Sequence, residues 1–237
     1  RGFFAIENAL TGMVSKGFQF NAFLENSVSN IATILAGTRQ YADAQGRVVS
    51  AAEALPFIFQ EAEKQQKRLF EDSLKSKATF EEISGIYQQI LVHVGDQKAS
   101  QEDLLQLARA FADISVSAGE RGQRAVVNAR QFLDANRAAG NTIKDYLRLS
   151  LTQTQNLKEQ KDLVQEALKR YREIKPVLEA QATTWEIITS TATNLRDAMS
   201  AEVLKSEFEG IKAVLIGFNE RLLEISAEGG LSGALGL

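Results

Sequence analysis

An all-α fold is predicted by three observations: a scarcity of helix breakers, apolar residues recurring every three or four positions, and capping-box pairs standing before several of those apolar runs. The chain of 237 residues contains 2 Pro and 16 Gly, and no Gly falls between Gly140 and Gly210. In a helix interior Gly costs about 1 kcal/mol and Pro about 3 relative to Ala. A chain so poor in both, and rich in Ala, Leu, Glu, Gln, Lys and Arg, favours helix almost throughout. Most of the 13 Phe lie at or before Phe132, where their rings can fill a compact core. The rest of the chain is expected to be longer and thinner.

Taken in order, Ile6, Leu10, Met13 and Val14 mark a first helix stopped near Gly17. A second, from about Phe20 to Gly37, carries Phe23, Leu24, Ile31, Ile34 and Leu35 on one face. Residues 38–50 change character. Two short β-like runs, Arg39-Gln40-Tyr41 and Arg47-Val48-Val49, flank a turn containing Gly46, and predict a small hairpin. The next helix runs to about Ser76, and its start has two readings. Ser50 with Glu53 makes a capping box, whereas Pro56 suits a first helical turn. Thr79 with Glu82 opens a helix through Ile83, Ile86, Tyr87, Ile90 and Leu91 to Gly95, and Ser100 with Asp103 opens another closing at Gly119. A further helix is expected over about 123–138, stopped by Gly140.

The second half carries heptads. Every seventh residue from Leu157 reads Val164, Tyr171, Leu178, Trp185, Ala192 and Met199, with Gln160, Ala167, Ile174, Gln181, Ile188 and Leu195 three positions later. The pattern restarts out of phase as Leu204, Phe208, Ile211, Leu215, Phe218, Leu222 and Ile225. As one helix, 157–199 would extend about 65 Å, with Pro176 kinking or dividing it. Lys158–Asp162, Glu166–Arg170 and Lys169–Glu173 stand at i,i+4. Two readings of the stripe remain open: the helices fold back onto each other or the first domain, or they self-associate in parallel. The candidate self-association seam is Leu157, Val164, Tyr171, Leu178 and Trp185, with the second set from Leu204 to Ile225. The organisation expected is a compact helical domain over 1–150, heptad-bearing helices over 151–228, and a Gly-rich tail over 229–237.

Composition narrows the function. There is no Cys and one His (His93), which removes thiolate chemistry and nearly all His-based metal or triad sites. A net charge of -3 offers no electrostatic footprint for nucleic acid. The longest uncharged stretches, Asn26–Thr38 and Ile83–Gly95, fall well short of the ~20 apolar residues that span a bilayer. The start, Arg1-Gly2-Phe3-Phe4, lacks Met and signal-peptide form, and is expected to belong to a piece of a longer protein.

No reaction site assembles from these residues. Gly12 to Phe18 has the glycine spacing of a P-loop without its Lys-Ser/Thr. Glu81-Glu82 in a first helical turn read as capping and dipole complements. His93 near a helix C-terminus reads as a structural or solvent-facing imidazole, Trp185 as packing, and the alternating charges from Glu61 to Lys77 as a solvated face. No enzyme, no cofactor and no metal is expected.

An ordered set of segments points to a family. Gly17-Phe18-Gln19-Phe20-Asn21-Ala22-Phe23-Leu24-Glu25 resembles the Gly-x-x-Phe-Asn-Ala stretch of phage tail tape measure proteins. Ala78-Thr79-Phe80-Glu81-Glu82-Ile83 is similar to that family's Thr-Pro-Phe segment, here without the proline, and Tyr87-Gln88-Gln89-Ile90-Leu91 with Gly95 matches the helix that follows. Leu104-Leu105-Gln106-Leu107 with Ala118-Gly119, and then Ala129-Arg130-Gln131, resemble the next segments. The resemblance covers about 10–135. It implies a structural virion protein that lies in the tail tube, sets tail length during assembly and is released when DNA is ejected. The partners it implies are further copies of itself, commonly in threes, and tail tube, tail tip or baseplate, and tail assembly chaperone proteins. The virion, and host cytoplasm during assembly, would be its location. An all-helical pore-forming or membrane-active protein is the alternative, although it calls for a sustained apolar hairpin.

Overall fold

The computed structural model describes residues 22–38, 41–42, 46–73, 76–94, 99–135 and 141–180. They form an all-α bundle with one two-stranded hairpin. Helix α1 occupies 22–38, followed by β1 (Tyr41–Ala42) and β2 (Val48–Val49). Then come α2 (Ala51–Ser73), α3 (Phe80–Val94), α4 (Gln101–Ser117), α5 (Gln123–Asp134), α6 (Thr142–Tyr146), α7 (Leu151–Glu159) and α8 (Leu163–Ala180). The strands pair antiparallel, Tyr41 opposite Val49 and Ala42 opposite Val48, and Gly46 takes φ +77° in the connection. The expected first helix, before residue 17, lies outside the described residues.

The three capping boxes expected from the sequence all form and set where α2, α3 and α4 begin. Glu53 accepts from Ser50 N–H at 2.8 Å while Glu53 N–H donates to Ser50 Oγ at 3.3 Å, so α2 starts at the Ser50 cap rather than at Pro56. Pro56 is tolerated inside the helix because it and Ala52, whose carbonyl loses a donor, are both exposed to water. Thr79–Glu82 and Ser100–Asp103 close in the same reciprocal way.

The bundle is built around α3 and α4, which are buried along most of their length. Helix α3 packs most extensively on α5 and α4, and α4 in turn carries α8. One continuous apolar cluster runs from Ile31 and Leu35 of α1 to Val164, Leu168 and Leu178 of α8. Phenylalanines cement it edge to face: Phe80 meets Phe23 at 5.6 Å and Phe70 at 5.4 Å, and Phe111 meets Phe132 at 5.1 Å. The α3–α5 contact is close enough that a Cβ on Gly85 would stand 2.8 Å from Val126 Cγ2.

Several boundaries differ from expectation. Helix α5 stops at Asp134 because Ala135 turns left-handed (φ +55°). Residues 142–159 form two helices that the apolar spacing did not announce, α6 capped by Asn141 and α7 by a Ser150–Gln153 box. The heptad region is not one helix from 157. It breaks at 160–162, where Lys161 takes φ +61°, its N–H bonds Lys158 O at 3.1 Å, and Asp162 N–H bonds Leu157 O at 2.9 Å. That pair of bonds is a Schellman stop. Pro176 does not divide α8, which continues to Ala180 with Pro176 and Arg172 both exposed.

Two stability predictions follow from this geometry. Lys161→Gly removes the penalty of a left-handed L-residue and is expected to stabilise the fold by about 0.5–1 kcal/mol. Thermal unfolding would then rise by about 1–4 °C. Gly85→Ala gains helix propensity but forces a methyl onto a β-branched neighbour, and is expected to lose about 1–2 kcal/mol in urea titration. Val126→Ala in the same chain should restore the loss.

Candidate functional site

The seam residues divide by location. Val164, Tyr171 and Leu178 are buried in this chain's own apolar cluster, and Leu157 is half-buried against it. For these positions the fold-back arrangement is the one observed, because α8 lies on α4. Trp185, Leu204, Phe208, Ile211, Leu215, Phe218, Leu222 and Ile225 lie outside the described residues, as do Gln181 and the Gly12–Phe18 segment. Glu166 and Arg170 form their i,i+4 pair at 2.7 Å. Arg170 also donates to the carbonyls of Leu147 and Arg148 at 3.1 and 2.9 Å. Lys158 reaches across to Leu133 O at 2.7 Å, and Lys169 stands 3.9 Å from Glu166.

The most concentrated set of buried polar groups lies where residues 76–82 enter α3. Sequence reading placed Lys77 on a solvated face; instead it is 7% exposed. Helix α2 ends at Ser73, so Lys77 does not extend that helix face. Its ammonium donates to Leu178 O of α8 at 2.6 Å and lies 3.5 Å from Ser117 Oγ. Those acceptors replace the water that the buried ammonium gives up. The Lys77 carbonyl accepts from Arg121 at 2.7 Å. Glu82 closes the Thr79 cap with one oxygen and accepts from Gly122 N–H at 2.6 Å with the other, and Arg121 stands 3.7 Å away. Gly122 has φ +60° and ψ -130°, a backbone open in practice only to glycine. On the α4 side, Ser76 and Tyr171 each donate to Asp113, both at 2.7 Å. This knot ties α3, α4, α5 and α8 together.

Sequence reasoning missed Lys77, Asp113 and Arg121, and nothing in their spacing distinguishes them from surface charges. Tyr171 was singled out for its apolar seam position rather than for its hydroxyl.

A second corner gathers the C-terminal ends of α3 and α5 against α7. His93 Nδ1 stands 3.1 Å from Asp134 Oδ1, and Gln155 donates to Ala135 O at 3.1 Å. Burial, which penalises the imidazolium, lowers the His93 pKa below its usual 6.5; Asp134 opposes this, while Lys158 and Arg130 add to it. Elsewhere two shallow grooves, of about 310 and 200 Å³, are lined mainly by charged and amide side chains such as Lys64, Arg68 and Glu71, or Gln153, Asn156 and Arg170. Among the described residues no three His, Asp or Glu side chains are grouped to hold a metal ion, and no helix is long and apolar enough to cross a membrane. What the arrangement offers is contact: helix ends satisfied inside the fold and apolar faces matched to one another.

No family model matches the chain, and neither does a curated protein or a solved structure.

The histidine gives a pH prediction. A base whose folded pKa is depressed binds its proton more readily when unfolded, so its stabilising contribution is complete above pH 6.5 and is lost as pH falls below that value. Stability is therefore expected to decline as pH falls through 6.5. His93→Gln, in a chain with no other His, should remove that part of the slope in urea titrations at several pH values. Glu53 and Asp103 act in a separate, more acidic window. The Ser50 hydroxyl and N–H hold Glu53 below 4.5. Burial would raise Asp103, but bonds from Ser100 and Gln165, with Arg172 nearby, bring it below 3.8.

Proposed function

We propose that this chain is a structural segment of a phage tail tape measure protein, acting through geometric extent and contact. The observation that carries this reading is the ordered resemblance over 10–135. Its segments fall at helix boundaries: Thr79-Phe80 at the capped start of α3, and Ala118-Gly119 at the stop of α4. The all-helical fold is compatible with such a protein and supports the reading only in that general sense. In this proposal the chain resides in the virion tail, meets tail tube, tip and assembly-chaperone proteins, and needs no cofactor. The bundle then contributes a folded unit of fixed size, while extended helix advances 1.5 Å per residue and supplies length.

Tail length tests the proposal. Deleting three heptads, 179–199, from the parent gene is expected to shorten tails by about 30 Å in negative-stain images, with the protein still found in purified virions. Tails of unchanged length, or virions without the protein, would reject a ruler role. Strong liposome leakage by the purified chain would favour the membrane-active alternative.

A further inference from the structure

We propose that α7 is an acid-loosened strap: it closes over the corner where α3 and α5 end while His93 is neutral, and protonation of His93 loosens it with the rest of the bundle still folded. The device does not depend on the assembly reading above.

Helix α7 is lightly held. Of its 9 residues only Thr154 is buried, while Gln155, Leu157 and Lys158 are half-buried and the others exposed. A left-handed residue stands beyond each end, Arg148 at φ +52° and Lys161 at φ +61°, so both joints lie outside the helix. The chain is anchored just past those joints, at Leu147 and Leu163, which are buried. Arg170 of α8 fixes the first anchor further by donating to the Leu147 and Arg148 carbonyls. Helix α7 can therefore move away without carrying α6 or α8 with it.

Two polar contacts tie α7 to the end of α5: Gln155 donates to Ala135 O and Lys158 to Leu133 O. His93, in the last turn of α3, shares this corner. The charged groups that act on it are Asp134 and Arg130 of α5 and Lys158 of α7. Helix α3 itself carries no acidic or basic side chain between Glu82 and His93. A neutral imidazole leaves the local balance unchanged. A protonated one is a third cation facing a single carboxylate, and Lys158, which it repels, is a group that holds α7 down. The docked state then bears that repulsion together with the poor hydration of a half-buried imidazolium, against the attraction of Asp134. Departure of α7 removes the repulsion and opens the corner to water. Helix α3 packs on α5 most extensively, so α7 is the element that yields. Its 9 residues are too few for an isolated helix to persist in water, and its release is therefore visible as local unfolding.

Amide hydrogen exchange on the full chain, at about pH 7.5 and about pH 5.5 and corrected for intrinsic exchange, tests the strap. Amides of α7 are expected to be less protected than those of α3 at both pH values, and to lose at least about threefold of their protection at the lower one. Equal protection in α7 and α3 would mean that α7 opens only with the whole bundle, and would overturn the proposal. So would α7 protection that is indifferent to pH. The trigger is tested by two variants with opposite expected effects. His93→Gln should abolish the α7 response. Asp134→Asn, which removes the one attraction favouring the imidazolium, should enlarge it, and serves alone where His93→Gln does not fold. A response that survives His93→Gln, or that Asp134→Asn leaves the same or smaller, would overturn His93 as the trigger.

Discussion

The constraint on which the fold depends is that the start of α3, at Ala78, Phe80 and Glu82, is enclosed by protein, so its first turn cannot rely on water. A helix leaves four N–H and four C=O groups unpaired at its termini, and burying them without partners costs about 1–3 kcal/mol each. At the start of α3 the chain meets that demand with Thr79 and Glu82, and then uses the second oxygen of Glu82 to hold Gly122 at the start of α5. One carboxylate thus sets the beginnings of two helices that pack on each other. The turn before it serves α8, through Lys77, and α4, through the Ser76–Asp113 bond. Helix order and interior polarity are two aspects of one arrangement.

Three helix starts were legible in the sequence where a side chain signs them, although the Ser150–Gln153 box of α7 has the same spacing and stood before no clear apolar run. The pairs Ser50–Glu53, Thr79–Glu82 and Ser100–Asp103 all cap as expected, because the box needs two particular residues at a fixed spacing. Stops were legible only where glycine makes them. Gly119 takes φ +78° after α4, but the same left-handed position after α6 and α7 is filled by Arg148 at φ +52° and Lys161 at φ +61°. Both have the bonding of a Schellman stop, with the following N–H reaching back to Lys144 and Leu157 carbonyls. A left-handed Arg or Lys looks, in one dimension, like any helical Arg or Lys. The heptad pattern therefore read straight through a break.

The seam shows a related limit. Periodicity specifies that Val164, Tyr171 and Leu178 share a face and that the face seeks apolar contact. It does not specify the partner, because burial energy follows area and is indifferent to which chain supplies it. Here α4 supplies it, and the choice is reinforced by polar groups invisible in the repeat: the Tyr171 hydroxyl on Asp113, and Gln165 on Asp103 at 3.0 Å. Lys77 illustrates the same point from the charged side. The alternating run from Glu61 is solvated at Glu63, Lys64, Lys67, Arg68 and Glu71, and the cation that ends it is buried where the Leu178 carbonyl of α8 lies opposite.

Occupancy of the buried carboxylates bears on what this bundle does. A general acid or base must have an oxygen free to reach a reacting proton. Glu82 spends one oxygen on Thr79 and the other on Gly122. Asp113 spends one on Ser76 and the other on Tyr171. His93, the sole imidazole, is turned toward Asp134 between two helix ends. Each of these groups is where a catalytic side chain would attract notice, and each is directed at a neighbouring backbone or side chain that holds helices in register. Their hydrogen bonds fix how these helices meet.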